Sequence, residues 1–156
     1  MTIAKLALAA ALVLGAGAMP AWAANVDVQL LNKGAAGLMV FEPDLVKINV
    51  GDTVTFKPTD KGHDVQSMDG LIPAGATPFK GNTSQPLTET FTVPGVYAVK
   101  CTPHYGLGMV AVVVVGNDLS NLPTIKASHN PKLPQARFDA IFAQLTALDA
   151  LRAAHI

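Results

Sequence analysis

Apolar and polar positions alternate along most of the chain's first two-thirds, in short runs broken by turn residues. Val26–Leu31 (VDVQLL) alternates until its end, and Val46, Ile48 and Val50 alternate with Lys47 and Asn49 in LVKINV (Leu45–Val50). Gly51-Asp52 turns the chain into TVTF (Thr53–Phe56). LTETFTV (Leu87–Val93), a Pro94-Gly95 turn and VYAVK (Val96–Lys100) follow. Val110–Val115 (VAVVVV) is β-branched without alternation, as a strand buried on both faces should be. Such strands at this spacing predict an antiparallel sandwich or barrel of roughly six to eight strands. Pro58–Gln85 is loop-rich, and a loop of that length is usually functional or packed on itself.

Beyond Gly116 the period changes. NDLSNLPTIKASHN suggests a short helix interrupted by Pro123. Phe138, Ile141, Phe142, Leu145, Leu148 and Leu151 then recur at helical spacing, with Pro134 suited to the first turn. A C-terminal helix packed on the sandwich is expected. The other reading of that helix, a partner- or membrane-binding one, lacks a Lys/Arg cluster on the polar face.

The first residues do not fit this pattern. Met1–Lys5 carries one positive charge, Leu6–Met19 is apolar and uncharged, and Ala21-Trp22-Ala23 has the small-x-small form of a cleavage site. Residues 1–23 therefore read as a secretory signal peptide rather than a membrane anchor, the run being short of the roughly 20 residues a span needs. The expected organisation is a leader (1–23), a sandwich (24–116) and a helical segment packed on it (117–156). Removal of the leader leaves 133 of the 156 residues, enough for one domain with a real core. With 11 basic and 11 acidic side chains, and Lys5 lost with the leader, no global basic field for nucleic acid exists.

Export sharpens the meaning of the single cysteine. Oxidising compartments favour paired cysteines, yet Cys101 has no partner in the chain. It is either an inert core thiol or a metal ligand. Cys101 follows Val96–Lys100 directly, His104 and Met109 lie in the next turn, and Val110 opens the following strand. One strand–loop–strand connection thus presents thiolate, imidazole and thioether, with His63 in DKGHDV as the best fourth donor. Zinc has little use for methionine, whereas two imidazoles, one thiolate and a distant thioether suit electron-transfer copper. Taken singly, each residue has an ordinary structural reading; jointly they favour copper. His129 and His155 lie away from this junction.

The chain resembles the pseudoazurins on LLNKG (Leu30–Gly34), MVFEP (Met39–Pro43), GDTVTF (Gly51–Phe56), PTDKGHDV (Pro58–Val65), PGVYAVKCTPHYGLGMV (Pro94–Val110) and the helical tail. The resemblance runs nearly end to end once the leader is removed. It implies a mainly β fold, a cupredoxin-type Greek-key β-sandwich or barrel with a C-terminal helical extension. It further implies one copper ion cycling Cu(II)/Cu(I) on His63, Cys101, His104 and Met109, both histidines binding through Nδ1. Asp64 departs from the family's usual asparagine and Leu107 from its frequent methionine. The first departure bears on the hydrogen bonds around the thiolate.

Four enclosing side chains leave no open position for substrate, so an electron carrier is expected rather than an enzyme. Lys100 and Thr102 flank Cys101, and neither could bind a second metal. His104 is the expected exit for electrons, within apolar surface from Met39, Pro73, Pro103 and Leu107. Lys33, Lys61, Lys80 and Lys100 could steer an acidic partner. The resemblance implies a periplasmic monomer that accepts electrons from a cytochrome and passes them to a copper nitrite reductase or another denitrification enzyme. No nucleic acid is expected, nor a membrane after cleavage. Copper delivery or storage, the rival reading, would favour an exposed Met-rich site, but of five methionines Met1 and Met19 are in the leader.

Overall fold

The computed structural model describes residues 22–155; most of the predicted leader lies outside the described residues. Eight strands form two four-stranded sheets: β1 (Asn25–Gly34), β2 (Gly37–Glu42), β3 (Leu45–Ile48), β4 (Thr53–Pro58), β5 (Gln66–Ser67), β6 (Leu87–Thr90), β7 (Gly95–Lys100) and β8 (Val110–Val115). One sheet has the order β2-β1-β4-β6 and the other β3-β8-β7-β5. The strands are not all antiparallel, as the alternation alone suggested. β1 runs parallel to β4, and β3 parallel to β8. Both parallel pairs join strands that are not consecutive, so the chain crosses from sheet to sheet rather than meandering within one.

The valine run of β8 explains the layering. Ala111, Val113 and Val115 point into the sandwich with Val28, Leu30, Phe56, Tyr97 and Val99. Val110, Val112 and Val114 face the other way and pack with Ile125, Phe138, Ile141, Phe142 and Leu145. All six residues of β8 are buried, because one face meets a sheet and the other a helix. Each large side chain so covered contributes about 1.5–3 kcal/mol.

Helix α2 (Lys132–Ala153) supplies most of the outer cover and α1 (Leu122–Lys126) the rest. Pro123 does not interrupt α1; it stands at its N-terminal start, where its missing N–H leaves no bond unmade. Leu148 and Leu151 share the helical spacing of the buried residues but are 44% and 59% exposed. Both line an open hollow with Lys47, Arg152 and His155 instead of entering the core. The long segment between β4 and β6 is packed on itself: Val65, Met68 and Pro73 are buried, and Ser67 Oγ and N both bond to Phe79.

Candidate metal centre

Cys101 leaves the end of β7 and Met109 sits one residue before β8, so the ligand loop is the connection of a hairpin. The last paired residues are Lys100 and Val110. Beyond them, Cys101 N–H donates to Met109 C=O at 3.0 Å, closing the loop at its base. Inside the loop, His104 N–H donates to Cys101 C=O at 3.2 Å, and a single 3-10 turn (Tyr105–Leu107) follows. Gly108 ends that turn at φ 90°, and a Cβ there would stand 3.2 Å from the Leu133 carbonyl oxygen. Only glycine reconciles the left-handed backbone with so close an approach to α2.

His63 reaches the same point from the β4–β5 loop. Its turn is pinned from both sides by Ser84, whose Oγ accepts from Gly62 N–H and whose N–H donates to His63 C=O, each at 2.8 Å. The donor atoms of His63, Cys101 and His104 all lie within 4.8 Å of one another. Cys101 Sγ is 3.7 Å from His63 Nδ1 and 3.4 Å from His104 Nδ1. Cys101, His63 and Met109 are fully buried, while His104 is half-buried.

Electrostatics suit this cluster to a soft cation. Burial pushes the Cys101 thiol up to about 11, against the lowering effect of the Asp64 and His104 backbone N–H groups. Burial also holds His63 below the usual histidine range, and the neighbouring His104 adds to that. A thiolate in so apolar a place needs a positive charge beside it, and the influences acting on Cys101 are burial, Asp64 and His104 rather than a lysine or arginine. Two imidazoles, a sulfur that a metal would deprotonate and a buried thioether fit copper better than zinc.

The surroundings differ in part from what the sequence suggested. Asp64 Oδ1 accepts from Thr102 N–H at 2.6 Å, so the carboxylate ties the His63 loop to the residue after Cys101. Met39 is half-buried against the sandwich core at φ 49°, and Pro103 is exposed beside His104. Leu107 is 52% exposed. Pro73 is not part of that surface: it is buried against Gly95, at the start of β7 and the opposite end from Cys101. Lys33, Lys61 and Lys80 are exposed, and Lys80 and Lys100 both pair across Gln66. Lys100 is half-buried, its ammonium 5.2 Å from the Tyr105 ring centroid, so it is less free to meet a partner than the other three. One residue of the centre escaped the sequence reading. Asn32 Oδ1 on β1 lies 2.9 Å from His63 Nε2, and nothing in its local pattern marks it.

A two-sheet sandwich that gathers a thiol, two imidazoles and a buried methionine in and around one hairpin loop defines a cupredoxin, the class of small copper proteins that carry electrons rather than catalyse. Comparison with known proteins narrows the class. The family of copper binding proteins, plastocyanin/azurin family, matches residues 28–116. Pseudoazurin from Paracoccus pantotrophus is 46% identical over 137 residues, 88% of this chain and 94% of its own. That from Methylorubrum extorquens is 46% identical over 127 residues, 81% and 86% of the two chains. The crystal structure of pseudoazurin from Methylobacterium extorquens AM1 superposes with a TM-score of 0.76 at 46% identity, covering 78% of this chain and 98% of that one. The chain belongs to the pseudoazurins, within the plastocyanin/azurin family of copper-binding proteins. One copper ion is the cofactor of that family, and His63, Cys101, His104 and Met109 are the candidate ligands here.

Proposed function

We propose that this protein is a periplasmic one-electron carrier whose copper is held by His63, Cys101, His104 and Met109. The observation that carries the assignment is the convergence of three donor atoms within 4.8 Å at a buried thiol. The copper, when bound, supplies a one-electron Cu(II)/Cu(I) couple. The chain's own residues supply rigidity. Cys101 and Met109 are fixed by adjoining strands, and His63 by Asn32 and Ser84. A donor set that does not move when its metal changes charge keeps the reorganisation of electron transfer small.

His104 is the one member of the set with an open side. Pro103 and Leu107 beside it are exposed and offer a small apolar contact surface, and the exposed Lys33, Lys61 and Lys80 would steer an acidic partner toward it. Family resemblance supports a cytochrome as donor and a copper nitrite reductase or another denitrification enzyme as acceptor, with the carrier a monomer. Export by removal of residues 1–23 rests on the leader pattern, and among the described residues no helix is long and apolar enough to cross a membrane. Residues 24–116 are then the sandwich and 117–156 its helical cover.

Loading the protein with Cu(II) tests the assignment. An intense blue thiolate-to-copper absorption and a reversible one-electron wave are expected. A colourless protein with the EPR signature of square-planar Cu(II) would overturn it.

A further inference from the structure

Far from the copper site, at the outer end of β1, a carboxylate is buried without a counter-charge. Asp52 is 7% exposed. Its Oδ2 accepts from Asn49 N–H at 2.9 Å, and its Oδ1 accepts from Ala24 N–H at 2.8 Å. The ion pairs among the described residues are Lys47–Asp149 and Lys57–Asp27, and neither involves Asp52. Lys47 from β3 and Arg152 from α2 line the same hollow as Ala24 and Asp52. Each is engaged elsewhere, Lys47 with Asp149 and Arg152 with Asn117 Oδ1 at 3.4 Å. A buried carboxylate served only by backbone N–H groups is costly unless a cation joins it.

Ala24 is where the fold takes hold of the chain. Trp22, Ala23 and Ala24 are all exposed, but the Ala24 backbone is bonded on both sides: its N–H donates to Asp52 and its C=O accepts from Thr53 N–H at 2.9 Å. The Ala23–Ala24 bond is also the cut that the Ala21-Trp22-Ala23 pattern predicts.

We infer that Asp52 is the receptor for the amino terminus that processing creates. Hydrolysis of the Ala23–Ala24 amide adds one water, leaving a carboxylate on Ala23 and an α-ammonium on Ala24. The new cation is then already within hydrogen-bond distance of Asp52 Oδ1, and cutting the leader replaces a neutral amide donor with a charged one, making an ion pair at a buried acid. The inference rests on the leader reading proposed above, and its test separates the two.

Expression of the full chain with export, followed by intact mass measurement, should give a product beginning at Ala24; a product beginning elsewhere overturns the leader reading and the receptor with it. For a product that does begin at Ala24, the α-amino group is titrated by NMR or by pH-dependent labelling, beside a version that retains Trp22-Ala23 and beside Asp52→Asn. A free α-amino group titrates at about 7.7–8.0. Pairing raises the folded-state value, so the stabilisation is complete below that range and is lost as pH rises through the raised value. The expected result is an α-amine titrating above the free range in the Ala24 protein alone, with a folding constant that falls about tenfold more between pH 7 and pH 10 than in either comparison protein. Lys47, Asp149 and Arg152 are common to all three and cancel. An Ala24 α-amine titrating at or below 8 would overturn the receptor while leaving the leader reading intact. That measurement needs only the unsubstituted protein, so it stands even if Asp52→Asn does not fold.

Discussion

Asn32 and His63 are joined side chain to side chain, Oδ1 to Nε2 at 2.9 Å, across 31 residues of sequence. The bond fixes the imidazole's proton on Nε2 and turns the Nδ1 lone pair toward Cys101. β1 thereby holds from behind a ligand that the β4–β5 loop presents from the front. Asn32→Ala removes the acceptor and leaves a buried N–H unpaired, at about 1–3 kcal/mol. Thermal unfolding should fall accordingly, and copper affinity about 10–100-fold. Asn32→Asp, which keeps an acceptor, should recover most of both; an unchanged copper affinity in Asn32→Ala would deny the residue its positioning role.

Met109 is both a core residue and a candidate ligand, and two substitutions separate the roles. Met109→Leu nearly conserves volume and should cost under about 1.5 kcal/mol, while Met109→Ala opens a cavity and should cost about 2–5 kcal/mol. Both remove the thioether. Visible absorption and reduction potential of the copper-loaded protein should therefore shift in both, and the stability loss should be large in only one. Wild-type spectra in Met109→Leu would leave the methionine a packing residue.

Glu89 on β6 offers a pH dependence remote from the metal. Burial raises its carboxyl above the usual value of 4.5, and no cation offsets that. A carboxyl raised on folding is stabilising when protonated, so its contribution is complete below about 4.5 and is lost as pH rises through the folded-state value. Glu89→Gln should raise the unfolding temperature at pH 7 and leave it nearly unchanged at pH 4. Parallel curves at the two pH values would show that the carboxylate is fully solvated.

Lys61 is exposed two residues before His63. Lys61→Glu should slow electron transfer to an acidic partner at low ionic strength and matter little at high salt, where exposed charges are screened within about 10 Å or less. Stopped-flow rates at two salt concentrations measure this. A rate ratio independent of salt would remove steering from the account.

What the sequence could convey follows from how local each feature is. β8 was legible to the residue because six consecutive apolar positions are needed when both faces are covered. β2 was not, since Gly37 and Met39 both take positive φ and spoil the alternation; β5 has only two residues. Strand direction was misread because the parallel partners β1 and β4, or β3 and β8, are set by crossovers that leave no local mark. The Cys101, His104 and Met109 group stood out because it occupies one loop. Asn32 did not, because its partner is 31 positions away. Asp64 falls between: its place next to His63 drew attention, yet its bond to Thr102 N–H emerges only when the two loops meet.

The rung between Cys101 N–H and Met109 C=O has one more implication. It closes the ligand loop at its base, so that β7 and β8 continue their ladder beneath it whatever contacts the loop makes above. No strand pairing lies between Cys101 and Met109, and doubling such a loop adds only about 0.6 kcal/mol of closure entropy. The spacing of the copper donors is thus free to vary independently of the barrel that carries it. A scaffold of this kind can keep its core while exchanging one short loop for another, and with it the metal's reach toward a new partner.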